Sequence, residues 1–528
     1  MEKRALLAVV LSLVFFYGYS LLFPGPDKKQ SQAPIQQAVT SVKTDKVERA
    51  PAPLPASVPS VAMVSRDVQV ETDQYTAIFS SQGASLKSLV LKKYRETAGN
   101  KGDTVSLVSA NSLDGLALKT AASGFSVDPS AIYAVSVEKL KVSSNEKKSI
   151  DFTWTSPQGI SLTKSYIFSG SGYDIELDTR VTNRTPAAIN GALTLVLPYP
   201  IQPTSKQSRF ELNSVVTSTD GKFSVESVKD VAEKPKKYSG FVDWTGYADK
   251  YFLSAVLAKD KGISSVEMTK SNGQYLESVI TSAPLSIGPG QTAGVSYRIF
   301  FGPKDVDILK AQGSGLEKAL DLGWFSALAN PLLYVLKFFY KYTHNYGIAI
   351  IIITIIIKIL FFPLTQKSYK SMKDMQKLQP KMAELKEKYK DDRDAMNKAM
   401  MELYRTHKVN PLGGCLPMLI QIPVFFALYK ALMSSIELRH APFMLWITDL
   451  SAKDPYYVTP IIMGATMFIQ QKMTPSSMDP IQAKMMLALP VVFTFMFLNF
   501  PSGLVIYWLV NNILTIAQQA YINHAFKD

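Results

Sequence analysis

The sequence is short of the residue types that most often do chemistry. It has one cysteine in 528 residues, Cys415, so no internal disulfide can form. A small buried residue at a helix entrance accounts for that cysteine better than a reactive thiol does. Its four histidines, His344, His407, His440 and His524, are scattered and show no metal-ligand spacing. No phosphate loop is present, and Gly313-Ser314-Gly315 lacks both the preceding strand and the third glycine of a nucleotide fingerprint. Acidic residues are missing from five apolar runs: Ile348–Pro363, Pro417–Met433, Val458–Ile469, Met485–Phe500 and Leu504–Ile516. These absences argue against an ATPase, a metalloenzyme or a disulfide-stapled domain. The expectation is a protein with no cofactor, no metal and no catalytic residue.

What is abundant is apolar surface. A chain 47% hydrophobic and 19% charged, with net charge +14, suits a protein divided between membrane and water, its Lys and Arg gathered on the cytoplasmic side. Met1-Glu2-Lys3-Arg4 precedes an apolar run from Ala5 to Phe23 with no small-residue cleavage box, which reads as an uncleaved N-terminal transmembrane anchor (1–27) rather than a signal peptide. Residues 28–60, with Pro51, Pro53, Pro55 and Pro59, read as a flexible linker. From 61 to 315 the period changes to two. Ile175, Leu177, Thr179 and Val181 alternate with Glu176, Asp178 and Arg180, and Val295, Tyr297, Ile299 and Phe301 with Ser296, Arg298 and Phe300. Turn signals at Ser169-Gly170-Ser171-Gly172, Asp220-Gly221 and Gly288-Pro289-Gly290 separate such runs, predicting a large exported antiparallel β-sandwich. Residues 316–344 mix Trp324, Phe325, Tyr334, Phe338, Phe339, Tyr340 and Tyr342 with Lys337 and Lys341, and read as an amphipathic helix in the outer membrane interface, broken at Asn330-Pro331. A soluble helix packed at the domain edge is the alternative.

The five apolar runs then predict a polytopic helical bundle: a second transmembrane helix (345–366), a cytoplasmic helical hairpin (367–410), and transmembrane helices three to six with a short tail (411–528). Several are short. Met485 to Phe500 extends about 24 Å against a hydrocarbon core of about 30 Å, implying local thinning or polar, hydrated ends. Charge orients them. Residues 367–410 carry twelve Lys/Arg against seven Asp/Glu, whereas 438–455 carry two of each, placing both termini and the hairpin in the cytoplasm. Met375, Leu378, Met382, Leu385 and Tyr389, then Met396, Met400 and Leu403 beyond Asp391-Asp392, form the hairpin seam, with a kink expected at Pro380.

One charge stands within Ile348–Pro363. A lysine near the centre of a span costs about 2.5–3.5 kcal/mol on insertion scales, so Lys358 needs water or a partner. Thr354 and Thr365 share its face, and Gln421, Thr459, Thr466, Gln470, Asn499, Asn511, Thr515, Gln518 and Gln519 add polar groups in the other runs. These predict a hydrated groove open toward the cytoplasm. Snorkelling of Lys358 with amides as interhelical glue is the blander reading. Met418, Ile422, Phe425, Phe426 and Met433 on the third span, and Phe493, Phe495, Met496, Phe497 and Phe500 on the fifth, suit adaptable contact with apolar substrates or with lipid.

Four motifs carry a resemblance: Asn410-Pro411-Leu412-Gly413-Gly414-Cys415-Leu416-Pro417, Gln421-Ile422-Pro423, Asp454-Pro455-Tyr456-Tyr457 and Phe500-Pro501-Ser502-Gly503-Leu504. With the order of segments, they resemble the YidC membrane-protein insertases of full-length, Gram-negative type. The resemblance implies a periplasmic β-supersandwich similar to galactose mutarotase and an inner-membrane bundle. It also implies an energy-independent insertase and chaperone for nascent inner-membrane proteins, working alone or with the Sec translocon. Contact with membrane lipids, and with ribosomes through the cytoplasmic loops but not directly with nucleic acid, follows from the same likeness. The implied substrate-binding set is Lys358, Thr354, Gln421, Phe425, Met496, Phe500, Asn511 and Thr515. Gram-negative relatives usually have arginine where this chain has Lys358, and the sequence ends at Asp528 without the long basic tail some relatives use at ribosomes. A solute transporter and a carbohydrate enzyme are less economical readings: no inverted repeat is evident, and residues 60–320 contain no histidine.

Overall fold

The computed structural model describes residues 64–99, 102–201, 213–260, 262–271, 274–320, 325–407, 409, 416–474 and 480–525, without the side chains of 393, 416–420 and 480–484. The expected anchor and linker, Trp324, Met418, Cys415 and most of the motif around it lie outside the described residues or side chains.

Period-two sequence becomes sheet as the pleat requires. In strand Asp174–Asn183, Ile175, Leu177, Thr179, Val181 and Asn183 are buried. Strand Thr292–Pro303 alternates likewise as far as Ile299, but Phe300 is buried as well as Phe301, because Tyr173 covers its other side. These two pair with each other at the middle of an eight-stranded sheet, which is joined by sheets of six and five strands. Among the described residues the strand pairs are antiparallel except Asp67–Glu71 with Lys139–Lys141. Asp220 and Gly221, both at positive φ, make the two-residue hairpin between Ser214–Thr219 and Lys222–Ser227. One large apolar core, including Phe79, Tyr166, Trp244 and Phe301, holds the domain together.

The core also contains an ionisable side chain. Lys164 is fully buried and donates to the carbonyls of Gly83 (3.2 Å), Ala84 (2.8 Å) and Leu118 (2.5 Å). Ala84 and Leu118 sit at positive φ, so the lysine fixes two loops in a conformation their side chains disfavour. Burial depresses its pKa well below the usual lysine value.

The α-helices among the described residues are α1 (Val228–Glu233), α2 (Val306–Gln312), α3 (Ser326–Thr343), α4 (Tyr346–Lys377), α5 (Gln379–Lys388), α6 (Arg393–Thr406), α7 (Leu416–Ser434), α8 (Val458–Met473), α9 (Pro480–Phe497) and α10 (Ser502–Ala525). Several boundaries differ from the sequence-based expectation. The amphipathic helix does not begin at 316: Leu316–Ala319 is a 3-10 turn whose Leu316 and Ala319 enter the β-domain core. α3 runs through Pro331 without interruption. α4 does not stop at 366, the expected end of the second transmembrane helix, but continues to Lys377. Its extension is braced by α10, where Gln518 Nε2 reaches Phe362 O (3.4 Å) and Thr365 Oγ1 (2.7 Å), and Ile522 packs with Tyr369 and Met372. Pro380 does not kink an arm. It stands in the first turn of α5, where a missing N–H costs nothing. Asp392 accepts from the N–H groups of Asp394 and Ala395 and so starts α6.

Among the described residues, α4 alone is both long and apolar enough to cross a bilayer by itself. Lys337 on α3 ties the β-domain to the bundle. Its ammonium meets Asp305 (3.1 Å) and Asp307 (2.7 Å) after the last strand, and Glu437 (2.8 Å) in the α7–α8 loop. Burial by itself would lower the pKa of Lys337 and raise that of Asp305. The attraction of Glu437 and its neighbours reverses the first, and that of Lys337 the second.

Candidate functional site

The isoleucine-rich start of α4 is helical because, in lipid, each backbone N–H must find its acceptor within the segment. Asn345 caps it, accepting the N–H of Ile348 at 3.1 Å. One face, with Ala349, Ile350, Ile353 and Thr354, is buried, while Ile355, Ile356, Ile359 and Leu360 are exposed. Lys358 lies at the margin, half-buried, about 18 Å along the helix from its first residue. Its Nζ donates to Thr515 Oγ1 at 2.7 Å, and that hydroxyl donates to Asn511 O at 2.6 Å. The hydroxyl hydrogen is therefore committed and its lone pair faces the ammonium. No charged group among the described residues is close enough to act on Lys358.

α10 is the hub of this arrangement. On one side Thr515 and Gln518 reach α4 at Lys358 and Thr365. On the other, Asn512 Nδ2 reaches Thr466 Oγ1 (3.3 Å) on α8, and Gln519 Nε2 reaches Thr474 Oγ1 (3.0 Å) just beyond it. The amide oxygens of Gln518 and Gln519 are buried with no donor among the described residues. Asn511 is buried beside this row. Thr354 is buried too, but its hydroxyl donates to Ile350 O at 2.7 Å, so it serves its own helix. Thr459 is also drawn elsewhere. Its N–H (2.8 Å) and hydroxyl (2.7 Å) bind the carboxylate of Asp454 at the start of α8. Asn499 is exposed beyond the end of α9.

α10 packs against α4 and α8, α8 against α9, and α4 against α7. The two Met- and Phe-rich helices, α7 and α9, therefore end an arc whose centre is α4 and α10. Gly464 lets α8 and α9 approach closely, since a Cβ there would stand 1.9 Å from Thr494 Oγ1. At the end nearer the β-domain the arc is closed by rings: Trp508 meets Phe425 at 4.8 Å and Phe497 at 5.3 Å, while Phe500 meets Phe497 at 4.8 Å and Tyr429 at 6.1 Å. Gln421 lies within hydrogen-bond reach of the Tyr507 hydroxyl, linking α7 to α10. Met496 is exposed with Phe495, Val491 and Val492. Aromatic closure at one end, and amides, hydroxyls and the Lys358 ammonium toward the other, make the bundle chemically asymmetric along its length.

Comparison with known proteins meets this geometry. The family model described as 60Kd inner membrane protein matches residues 338–528, and that of the YidC periplasmic domain matches 67–335. The chain is 59% identical to the membrane protein insertase YidC of Geotalea uraniireducens, covering 100% of both chains. It belongs to the YidC family of membrane protein insertases. Other YidC relatives include that of Geobacter metallireducens, 59% identical over 99% of this chain and 98% of the relative, and that of Syntrophus aciditrophicus, 45% identical over 99% of both. Among solved structures, an active YidC insertase with its first transmembrane domain resolved is 17% identical, covers 86% of this chain and 92% of its own, and has a TM-score of 0.37. A galactose mutarotase-like protein from Lactobacillus casei covers 45% of this chain and 100% of its own at 9% identity and a TM-score of 0.33. As in other YidC proteins, a large periplasmic β-sandwich precedes a helical region of the inner membrane.

Of the residues singled out from sequence, Lys358, Thr515 and Asn511 come together, and Phe425 and Phe500 join the aromatic closure. Asn512, Trp508 and Tyr507 were not singled out. Asn512 had a legible signal, standing seven residues before Gln519 on the same helical face.

Proposed function

We propose that the arc of α7, α9 and α10 around Lys358 is the path by which a nascent inner-membrane protein enters the bilayer, without ATP or another energy source of its own. The observation that carries this reading is the contact of Lys358 with Thr515: an ammonium at mid-helix whose partner is a hydroxyl and whose counter-charge is absent from the chain's described residues. A substrate's acidic or polar segment supplies that charge, and the buried amide oxygens of Gln518 and Gln519 are acceptors for its N–H groups or for water. Polar lining lowers the cost of carrying the hydrophilic end partway across, and short helices shorten the rest of the path. Burial of the apolar segment in lipid drives release, with Met496 and Phe425 on the flanking helices as its contacts.

On this reading the groove opens to the cytoplasm, where the hairpin and both termini lie. The Sec translocon is a partner on this reading, and the ribosome docks at the cytoplasmic loops. Photocrosslinkers at Gln421 and Met496 should capture a stalled nascent membrane protein, and a crosslinker at the exposed Ile359 should capture mainly lipid. Equal capture from Ile359 and Met496 would reject the assignment of the path.

A further inference from the structure

The middle of the α7–α8 loop holds a feature that insertion chemistry does not use. Pro442-Phe443-Met444-Leu445-Trp446 forms a tight turn, with Phe443 N–H on Ile447 O (2.9 Å) and Ile447 N–H on Met444 O (3.1 Å). At its tip Leu445 is 80% exposed and Met444 51%, and Leu445 holds a φ of 54°, a conformation that favours glycine. A bulky apolar residue at that φ and that exposure gains nothing from water or from the protein core. The turn is nevertheless held rigidly. Asn345 donates its Nδ2 to Phe443 O at 2.8 Å while its Oδ1 accepts the N–H of Ile348, so one side chain joins the loop to the first turn of α4. The Phe443 ring lies against Gly347 so closely that a Cβ there would stand 2.0 Å from it. Trp446 is fixed by its indole N–H on Asp454 Oδ1 at 3.1 Å.

Ile348 begins the row of exposed isoleucines, Ile348, Ile355 and Ile359, on the helix that is long and apolar enough to span a bilayer. The tip is therefore fastened at the outer end of a lipid-facing surface. Tyr342 and Phe338, both exposed, close α3 just before the same elbow.

We infer that Met444 and Leu445 are a membrane-docking tip, which inserts into the acyl-chain margin of the outer phospholipid leaflet and pins the outer end of α4 to it. The inference needs α4 in the bilayer but not the polar groove, so either can fail without the other.

The test uses full-length protein with Cys415→Ser and Leu445→Cys, labelled with an environment-sensitive fluorophore and reconstituted in phosphatidylcholine/phosphatidylglycerol vesicles. Leu445 is outside the core, so its replacement leaves packing intact. The expected result is blue-shifted emission, quenched several-fold more by shallow spin-labelled lipid than by aqueous iodide. A Leu113→Cys control on the β-domain surface should show the reverse. Iodide quenching equal to that control would overturn the proposal. As a second measurement on the unmodified chain, a phospholipid with an acyl-chain diazirine should label the peptide carrying residues 444 and 445. Absence of that adduct, when peptides of α4 are labelled, would also overturn it.

Discussion

Replacing Lys358 by glutamine separates charge from hydrogen bonding. The amide is shorter by one bond but still a donor toward Thr515 Oγ1, which stands 2.7 Å from the ammonium in the native chain. Two unit charges about 4 Å apart attract by about 4 kcal/mol at an effective dielectric near 20. Lys358 is only half-buried, so solvent screens the pair and about 1–2 kcal/mol of capture energy is at stake, roughly a 5- to 30-fold change in rate. That loss should fall on substrates whose exported tail is acidic and spare matched substrates with a neutral tail. Lys358→Arg should retain activity on both. Lys358→Glu should be worse than Lys358→Gln, because it turns attraction into repulsion. The assay is protease protection of the two tails after insertion into proteoliposomes, run at low and high salt. Insertion of the acidic tail by Lys358→Glu at the native rate would refute the electrostatic role, whatever happened to the neutral tail.

Other expectations are independent of substrate charge. Thr515→Val removes the acceptor for Lys358 and should cost about 1 kcal/mol of bundle stability, since the half-buried ammonium can turn to solvent, with Thr515→Ser restoring it; detergent unfolding measures both. Gly464→Val should separate α8 from α9 at Thr494 and raise protease sensitivity of the α8–α9 connection. Lys164→Met leaves the carbonyls of Gly83, Ala84 and Leu118 without that donor and should lower the β-domain's stability by about 2–4 kcal/mol. It should also abolish a pH slope: the folded pKa of Lys164 is depressed, so the native domain gains stability as pH rises from that value toward the unfolded value of about 10.4, as thermal melts from pH 7 to 10 would reveal. The Lys337 cluster has the opposite signature. Asp305 is depressed and Lys337 raised, so its contribution is lost only as pH falls through the folded pKa of Asp305, below the ordinary carboxylate range, or rises through that of Lys337, above the ordinary lysine range. Distance measurements between α3 and the last β-strand should therefore be flat across the neutral range and lengthen only at a pH below the ordinary carboxylate range.

The parts of the fold that were legible in sequence are those where one local force dominates. Ile175 to Val181 alternate because one face of a sheet is dry, and Asp220-Gly221 turns because both residues accept positive φ. Lys358 was legible because charge in an apolar helix has no local explanation. What escaped was decided by distant residues. The end of the apolar run argues locally that the second span stops by 366. Gln518, whose amide reaches Thr365 and Phe362 from far along the chain, and Ile522 against Tyr369 and Met372 carry the helix on to Lys377. Leu316 scores as the start of an amphipathic helix, yet the β-domain core takes it. In the candidate site, polar residues of one kind parted ways for the same reason. Thr515 turns its lone pair to Lys358, Thr354 spends its hydroxyl on Ile350 O, and Thr459 is claimed by Asp454. A hydroxyl's role in a membrane helix follows from which acceptor stands one turn away and which donor stands opposite. Only the first of these is local, so spacing gathered the right residues and left their individual roles to packing.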